Sequence, residues 1–298
     1  MVGGRKSYIS ATRGFLAFMK DLHPSRIPLP PMIEDLVLWA SFFKNAGTFS
    51  TYCSAIRWAT EACSFDTAVF ENPVLKRAKT ALKHVTVHKE RRWIGGSLVQ
   101  SLMKEALRVK DVQSAMLFAA AYVYMARVPS ELLTWQAGGS LLTGRSGSVF
   151  RACVQTGEHE VRVHLQQRKN AQSGDTVRRV CSCSKAPALC PVHVLGPWLR
   201  SFGVGAMPFQ GVTAAAATRR LRGYLEALGV ADVGLYSLHA FRRGAANDMK
   251  DMGCTLAELL EAGGWTSRAC FKYLKLEDLD LHAVIKFVAV ESESERDD

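Results

Sequence analysis

The sequence predicts a mainly helical α+β protein in which one small antiparallel β-sheet interrupts a long run of helices. Apolar residues recur at helical spacing through most of the chain. Period-two alternation is confined to the stretch between Val149 and Val180. With 298 residues and 48% hydrophobic content, there is apolar material for two cores.

From Tyr8 to about His84 the pattern is that of a small helical bundle. Ile9, Phe15, Leu16 and Met19 form one apolar stripe. After the break Pro28-Leu29-Pro30-Pro31, a second stripe runs through Ile33, Leu36, Val37, Ala40, Phe42 and Phe43. A third helix is expected from about Ser50 to Ala62, capped by Thr48 or Ser50, and a fourth from Pro73 to Lys83 with proline in its first turn. Lys76, Arg77, Lys79, Lys83, Lys89, Arg91 and Arg92 then follow with few acids between them, which suits a segment lying along a phosphate backbone. A solvated linker is the plain alternative. The domain boundary is expected between Val85 and Arg92, giving a first domain at 1–88 and a second at 89–290.

In the second domain, helices are expected at about Ser97 to Arg108 and Val112 to Met125. Strands follow at Val149 to Val154, Val161 to Leu165 and Thr176 to Val180, with Ser173-Gly174-Asp175 as a turn. That is a three-stranded antiparallel sheet, with Lys169 near the turn between its second and third strands. Ser237 precedes the helix that carries His239 and Arg242, and Gly253 ends it. Thr255 to Glu258 form a capping box for the next helix, which Gly263 and Gly264 close. Helix is expected to continue to about Ala289, and the charged tail 291–298, which has no core-forming residues, is expected to be disordered.

Lysine plus arginine number 38 against 27 acids, a net charge of +11, so a polyanionic partner is expected. Met1 to Lys20 lacks the apolar core and cleavage site of a secretory signal. The longest apolar run, Ser114 to Ala126, is too short to span a bilayer. A soluble intracellular protein with no membrane partner is expected, and most of the eight cysteines read as reduced thiols in apolar, helix-like sequence. One group differs. Cys181-Ser182-Cys183, then Cys190-Pro191-Val192-His193, offers three thiolates and an imidazole, a set that a structural, tetrahedral zinc accepts. The alternative is a thiol-rich loop in which His193 caps the following helix.

The last third of the chain carries the residues suited to chemistry. His239 and Arg242 lie three apart, hence on one face, in the first turns of their helix, where backbone N–H groups and the dipole favour an anion. The indole donor of Trp265 and the phenol of Tyr273 follow within 35 residues. Singly these are weak signals: a lone His-x-x-Arg is more often surface decoration and Trp265 a packing residue. Their order and spacing carry the weight.

In that order the chain resembles the tyrosine recombinases of the phage-integrase class, more the DIRS-like or Crypton-like versions of eukaryotic mobile elements than the bacterial ones. The family uses an Arg, a hairpin Lys, a His-x-x-Arg, a His or Trp after a glycine, and a Tyr nucleophile. Here the matches are Arg127 in Met125-Ala126-Arg127-Val128-Pro129, Lys169 in Gln167-Arg168-Lys169-Asn170, then His239, Arg242, Trp265 and Tyr273. Two spacings depart from the pattern. Pro129 sets Glu131 at the fourth residue after Arg127 rather than the third, and Tyr273 lies eight residues past Trp265 rather than nine.

The resemblance implies a helical core-binding domain at 1–88 and an integrase-like catalytic domain at 89–290, closing as a C-shaped clamp on double-stranded DNA. Tyr273 would attack a phosphodiester and form a 3′-phosphotyrosyl link, with the charge on the phosphate met by Arg127, Arg242 and Trp265. His239 would donate likewise or take the phenol proton, and Lys169 would protonate the departing 5′ oxygen. One ester is exchanged for another, so no cofactor is required. Arg243 joins the basic residues expected on DNA. Leu281, Val284, Ile285 and Val288 form an apolar stripe on an expected C-terminal helix, through which a dimer or tetramer would assemble on DNA or which would fold back in cis, and the eukaryotic resemblance implies a nuclear location. The rivals are a non-cutting DNA-binding descendant, a type IB topoisomerase and a zinc-dependent interaction protein.

Overall fold

The computed structural model of the chain describes residues 3–86, 90–138, 152–166 and 174–265. It divides into two compact units, Met1–Lys89 and Glu90–Asp298.

The first unit is helical: α1 (Gly3–Leu22), α2 (Ile33–Ala40), α3 (Ala46–Ala62) and α4 (Pro73–Val85). Phe15, Met19, Leu36, Phe49, Ile56 and Leu75 are fully buried around Trp39, whose ring meets Phe15 at 4.9 Å and Phe43 at 5.1 Å. The carboxylate of Asp35, 3% exposed, accepts from the Met32 N–H at 3.0 Å and from the Arg26 guanidinium, fixing the entry to α2. Helix α3 begins four residues before the expected Ser50, because Asn45 rather than Thr48 is the cap: its side chain accepts from the Thr48 N–H at 3.0 Å. Asn72 does the same for α4 at 2.8 Å, and Pro73 opens that helix as expected.

The second unit is built on α5 (Gly96–Arg108) and α6 (Val112–Val123). Every residue from Ser114 to Ala121 is buried, so α6 is the centre of the core rather than an amphipathic surface helix. Against this pair lie α8 (Ala214–Ala227) and α9 (Ala240–Asp251), while α7 (Gly196–Arg200) packs beside the sheet and α10 (Leu256–Gly263) against α9. Phe118 of α6 stacks on Phe241 of α9 at 5.4 Å. Where α9 passes the strand-like segment before α5, Gly244 is obligatory: a Cβ there would lie 1.8 Å from the carbonyl oxygen of Ile94.

The sheet is four-stranded and mixed, not three-stranded and antiparallel. Its order is β1 (Trp135–Ala137), β2 (Ala152–Thr156), β3 (Glu160–Leu165), β4 (Asp175–Val180), with β1 parallel to β2 and the other pairs antiparallel. A three-residue strand is too short to show alternation, so β1 left no trace in the sequence pattern. Val154, Val163 and Val177 oppose one another across β2, β3 and β4 and turn the same face to the core. Among the described residues no helix is long and apolar enough to cross a membrane.

Candidate functional site

Helix α6 ends in a turn where Met125 takes a left-handed φ of 46°. The chain then enters a wide, π-type turn at Val128–Leu132, closed by the Leu133 N–H on the Val128 carbonyl at 3.0 Å. This wide turn absorbs the extra residue that Pro129 introduces. It brings the Glu131 carboxylate, 3% exposed, back onto Arg127: Oε2 accepts the Arg127 backbone N–H at 2.9 Å and Oε1 accepts from Nη1 at 2.7 Å. The guanidinium is held in one orientation and remains 20% exposed.

His239 is the residue immediately before α9, and the Arg243 N–H donates to its carbonyl at 3.2 Å. Burial, and then the positive charges of Arg242, Arg127, Arg91 and Arg243, push its imidazole down to about 4, so it is neutral at physiological pH.

Arg242, one turn on, is fully buried. Its Nη1 donates to the Met125 carbonyl and its Nη2 to the Gly263 carbonyl at 2.5 Å. Both acceptors lie at C-terminal helix ends, where carbonyls lack intrahelical partners and a cation is favoured. The guanidinium carbon sits 4.4 Å from the ring centre of Trp265, a cation–π contact.

Trp265 is placed by the end of α10. Thr255 and Glu258 form the expected capping box at the start of that helix. At its close Gly264 takes φ 59°, its N–H donates to the Glu261 carbonyl at 3.0 Å, and the Trp265 N–H donates to the Leu260 carbonyl at 2.9 Å. These are the two bonds of a Schellman motif. The indole then folds across the helix end, over Gly263, where a Cβ would fall 2.1 Å from the ring. Met125, Ala245, Ala246 and Leu259 complete the buried cluster around it.

Four expected residues, Arg127, His239, Arg242 and Trp265, are therefore brought together from three separate stretches of the second unit. Lys169 and Tyr273 lie outside the described residues, as do Lys89 and the segments expected to form a C-terminal helix and a tail. Arg91 and Arg243 stand close to the group, with Arg243 Nη1 on the Arg91 carbonyl at 2.7 Å. Arg92 pairs with Asp232 at 3.0 Å. Lys76, Arg77 and Lys83 are exposed on α4 of the first unit, with Lys79 half-buried and Lys76 paired to Glu71 at 3.6 Å.

Sequence reasoning missed Arg179. It donates from Nε to the Val123 carbonyl at 2.9 Å and from Nη2 to the Ala262 carbonyl at 2.9 Å, bracing the ends of α6 and α10 beside Arg242. A signal was present: in β4 it shares the inward face with Val177 two residues earlier, an unusual place for a charge.

The second grouping is formed by Cys181, Cys183, Cys190 and His193, whose ligand atoms all lie within 4.8 Å of one another. It sits after β4, at the start of the π-type turn Pro191–Leu195 that leads into α7.

No protein-family model matches the chain. In sequence it is 26% identical over 209 residues to the recombinase Cre of Escherichia phage P1, a match covering 64% of this chain and 57% of that protein. In fold it is similar to the Tn1549 transposon integrase in complex with transposon right end DNA, with a TM-score of 0.59, 12% identity, and 94% of each chain covered. It is likewise similar to a lambda integrase dimer bound to a COC′ core site, with a TM-score of 0.54, 13% identity, 90% of this chain and 75% of that one. The chain is thus similar in sequence to a phage recombinase and has the fold of the integrases.

Proposed function

We propose that the chain is a site-specific DNA recombinase that breaks and rejoins DNA through a 3′-phosphotyrosyl link at Tyr273. The observation that carries this reading is the convergence of Arg127, His239, Arg242 and Trp265 in the second unit. Glu131 takes one side-chain donor of Arg127, and a guanidinium has five, so Arg127 can present others to a nonbridging phosphate oxygen. Neutral His239 can accept the phenol proton or donate an N–H, and an arriving phosphate would offset the surrounding arginines.

Arg242 plays two parts in succession. Before DNA binds, it holds the indole of Trp265 in place through the cation–π contact and the Gly263 carbonyl. With the phosphate present, it exchanges a carbonyl for a phosphate oxygen. The phenolic oxygen of Tyr273 then forms a bond to phosphorus, the bond to the 5′ oxygen breaks, and Lys169 supplies that oxygen's proton. The ester count is unchanged, so neither ATP nor a catalytic metal is needed, and the four-residue Cys/His cluster is read as structural. The basic residues of α4 with Arg91, Arg92 and Arg243 contact the duplex backbone. The active form is a homodimer or tetramer on DNA, assembled through the segment bearing Leu281, Val284, Ile285 and Val288.

The test uses pooled nicked duplexes with randomised arms, in which a short fragment diffuses away after cleavage and traps the intermediate. Wild type should give a covalent protein–DNA adduct, and Tyr273→Phe none. Equal trapping by both proteins refutes the assignment of the nucleophile. Binding without any adduct favours a DNA-binding relative that does not cut, and relaxation of supercoils without strand exchange favours a topoisomerase.

A further inference from the structure

We propose that Cys181, Cys183, Cys190 and His193 bind one zinc ion that locks the end of β4, and that through β4 it holds Arg179 as a positioning residue beneath the Arg242–Trp265 pair. A tetrahedral zinc with sulfur at about 2.3 Å and nitrogen at about 2.0 Å has S···S edges of about 3.8 Å and S···N edges of about 3.5 Å. The Cys190 and Cys181 sulfurs are 3.7 Å apart, and His193 Nδ1 lies 3.5 Å from Cys181, 3.4 Å from Cys190 and 3.0 Å from Cys183. These are four of the six edges of such a tetrahedron, each within about 0.5 Å of it, and the sulfur pair is far too long for a disulfide, whose sulfurs stand about 2.05 Å apart.

The loop is shaped to hold this set. Cys190 and His193 lie three apart across a turn begun by Pro191, which turns both ligands the same way. The Ser182 N–H donates to the Cys190 sulfur at 3.4 Å, the kind of outer bond that orients a metal ligand. The Ala186 N–H closes the intervening loop on the Ser182 carbonyl at 2.7 Å. Three thiolates without a cation would repel one another here, whereas zinc supplies the charge that lets them ionise together.

The coupling follows from the sequence. Cys181 is two residues beyond Arg179, on the same strand exit, and its N–H is fixed to the His159 carbonyl at 2.8 Å. Arg179 in turn spans the Val123 and Ala262 carbonyls, one residue or two from the carbonyls of Met125 and Gly263 that Arg242 holds. Two arginines thus brace the same pair of helix ends, and only one of them stands on a strand that the metal can pin.

The inference goes beyond the recombination reading and is independent of it, because its test contains no DNA. Native mass spectrometry of the full chain should find one zinc per chain. Cobalt(II) added to chelated protein should give the thiolate charge-transfer and visible bands of a tetrahedral site, and both Cys183→Ser and His193→Gln, at exposed ligand positions, should weaken or lose them. For the coupling, hydrogen exchange is followed at residues 256–265. Chelation should cost them protection together with β4, and Arg179→Gln should do so with zinc still bound. Absence of stoichiometric zinc, or a cobalt spectrum unchanged in both variants, overturns the site. Unchanged protection of 256–265 on chelation overturns the coupling.

Discussion

His239 owes its protonation state to its surroundings. Its imidazole is held at about 4, by burial first and the arginines second, against about 6.5 in an unfolded chain. Between those values the unfolded chain binds more protons, so the stability contributed by a neutral His239 is complete above about pH 6.5 and is lost as pH falls toward 4. His239→Gln cannot titrate. Its melting temperature should therefore fall less than that of wild type between pH 7.5 and 5, and equal falls would show that His239 is not the group responsible. At the same scale, Glu131 was visible in the sequence only as an acid one place out of register. The wide turn that corrects its position depends on backbone dihedrals that no residue pattern displays.

Among the elements, α9 governs the site, because it follows directly on His239, carries Arg242 and is packed closely against its neighbours. Phe241 stacks on Phe118, and Gly244 lets the helix approach the Ile94 carbonyl. Alanine normally favours a helix interior over glycine by about 1 kcal/mol. Gly244→Ala should nevertheless destabilise the chain by about 1–3 kcal/mol or more, because backbone rather than a flexible side chain has to yield. Gly223→Ala in α8, where a Cβ meets nothing within 4 Å, is the control and should be neutral or stabilising by up to about 1 kcal/mol. Urea denaturation of the two variants decides the matter: similar midpoints would mean that the approach at Gly244 is not as tight as described.

At the scale of the whole molecule, charge is unevenly shared. Residues 1–89 hold twelve basic against six acidic residues, and residues 90–298 hold 26 against 21, so the shorter unit has the higher density of positive charge. If α4 lies on DNA, its lysines and arginine release counterions, each phosphate contact adding about 0.9 to the slope of log affinity against log salt. Replacing Lys76, Arg77, Lys79 and Lys83 together by alanine should flatten that slope by about 2–4. Lys76, already paired with Glu71, should contribute least. A slope unchanged by all four substitutions would remove α4 from the DNA-binding surface.

The chain's order of helices, its short sheet, its capping box at Thr255 and the set Arg127, His239, Arg242 and Trp265 were legible from residue types and spacing, because helical and strand periods and capping chemistry act over a few neighbours. So was the cysteine and histidine cluster, whose members lie within thirteen residues. Strand β1, the cap at Asn45, the wide turn at Glu131 and the brace made by Arg179 were decided by tertiary structure. Each depends on a partner remote in sequence or on a backbone turn set by its surroundings: β1 exists only because β2 lies beside it, and Arg179 finds its acceptors 56 and 83 residues away. The same distinction holds for Arg242. Its spacing from His239 marked it as an anion-binding residue, whereas its burial, its two carbonyl partners and its stack on Trp265 arise only where α6, α9 and α10 meet.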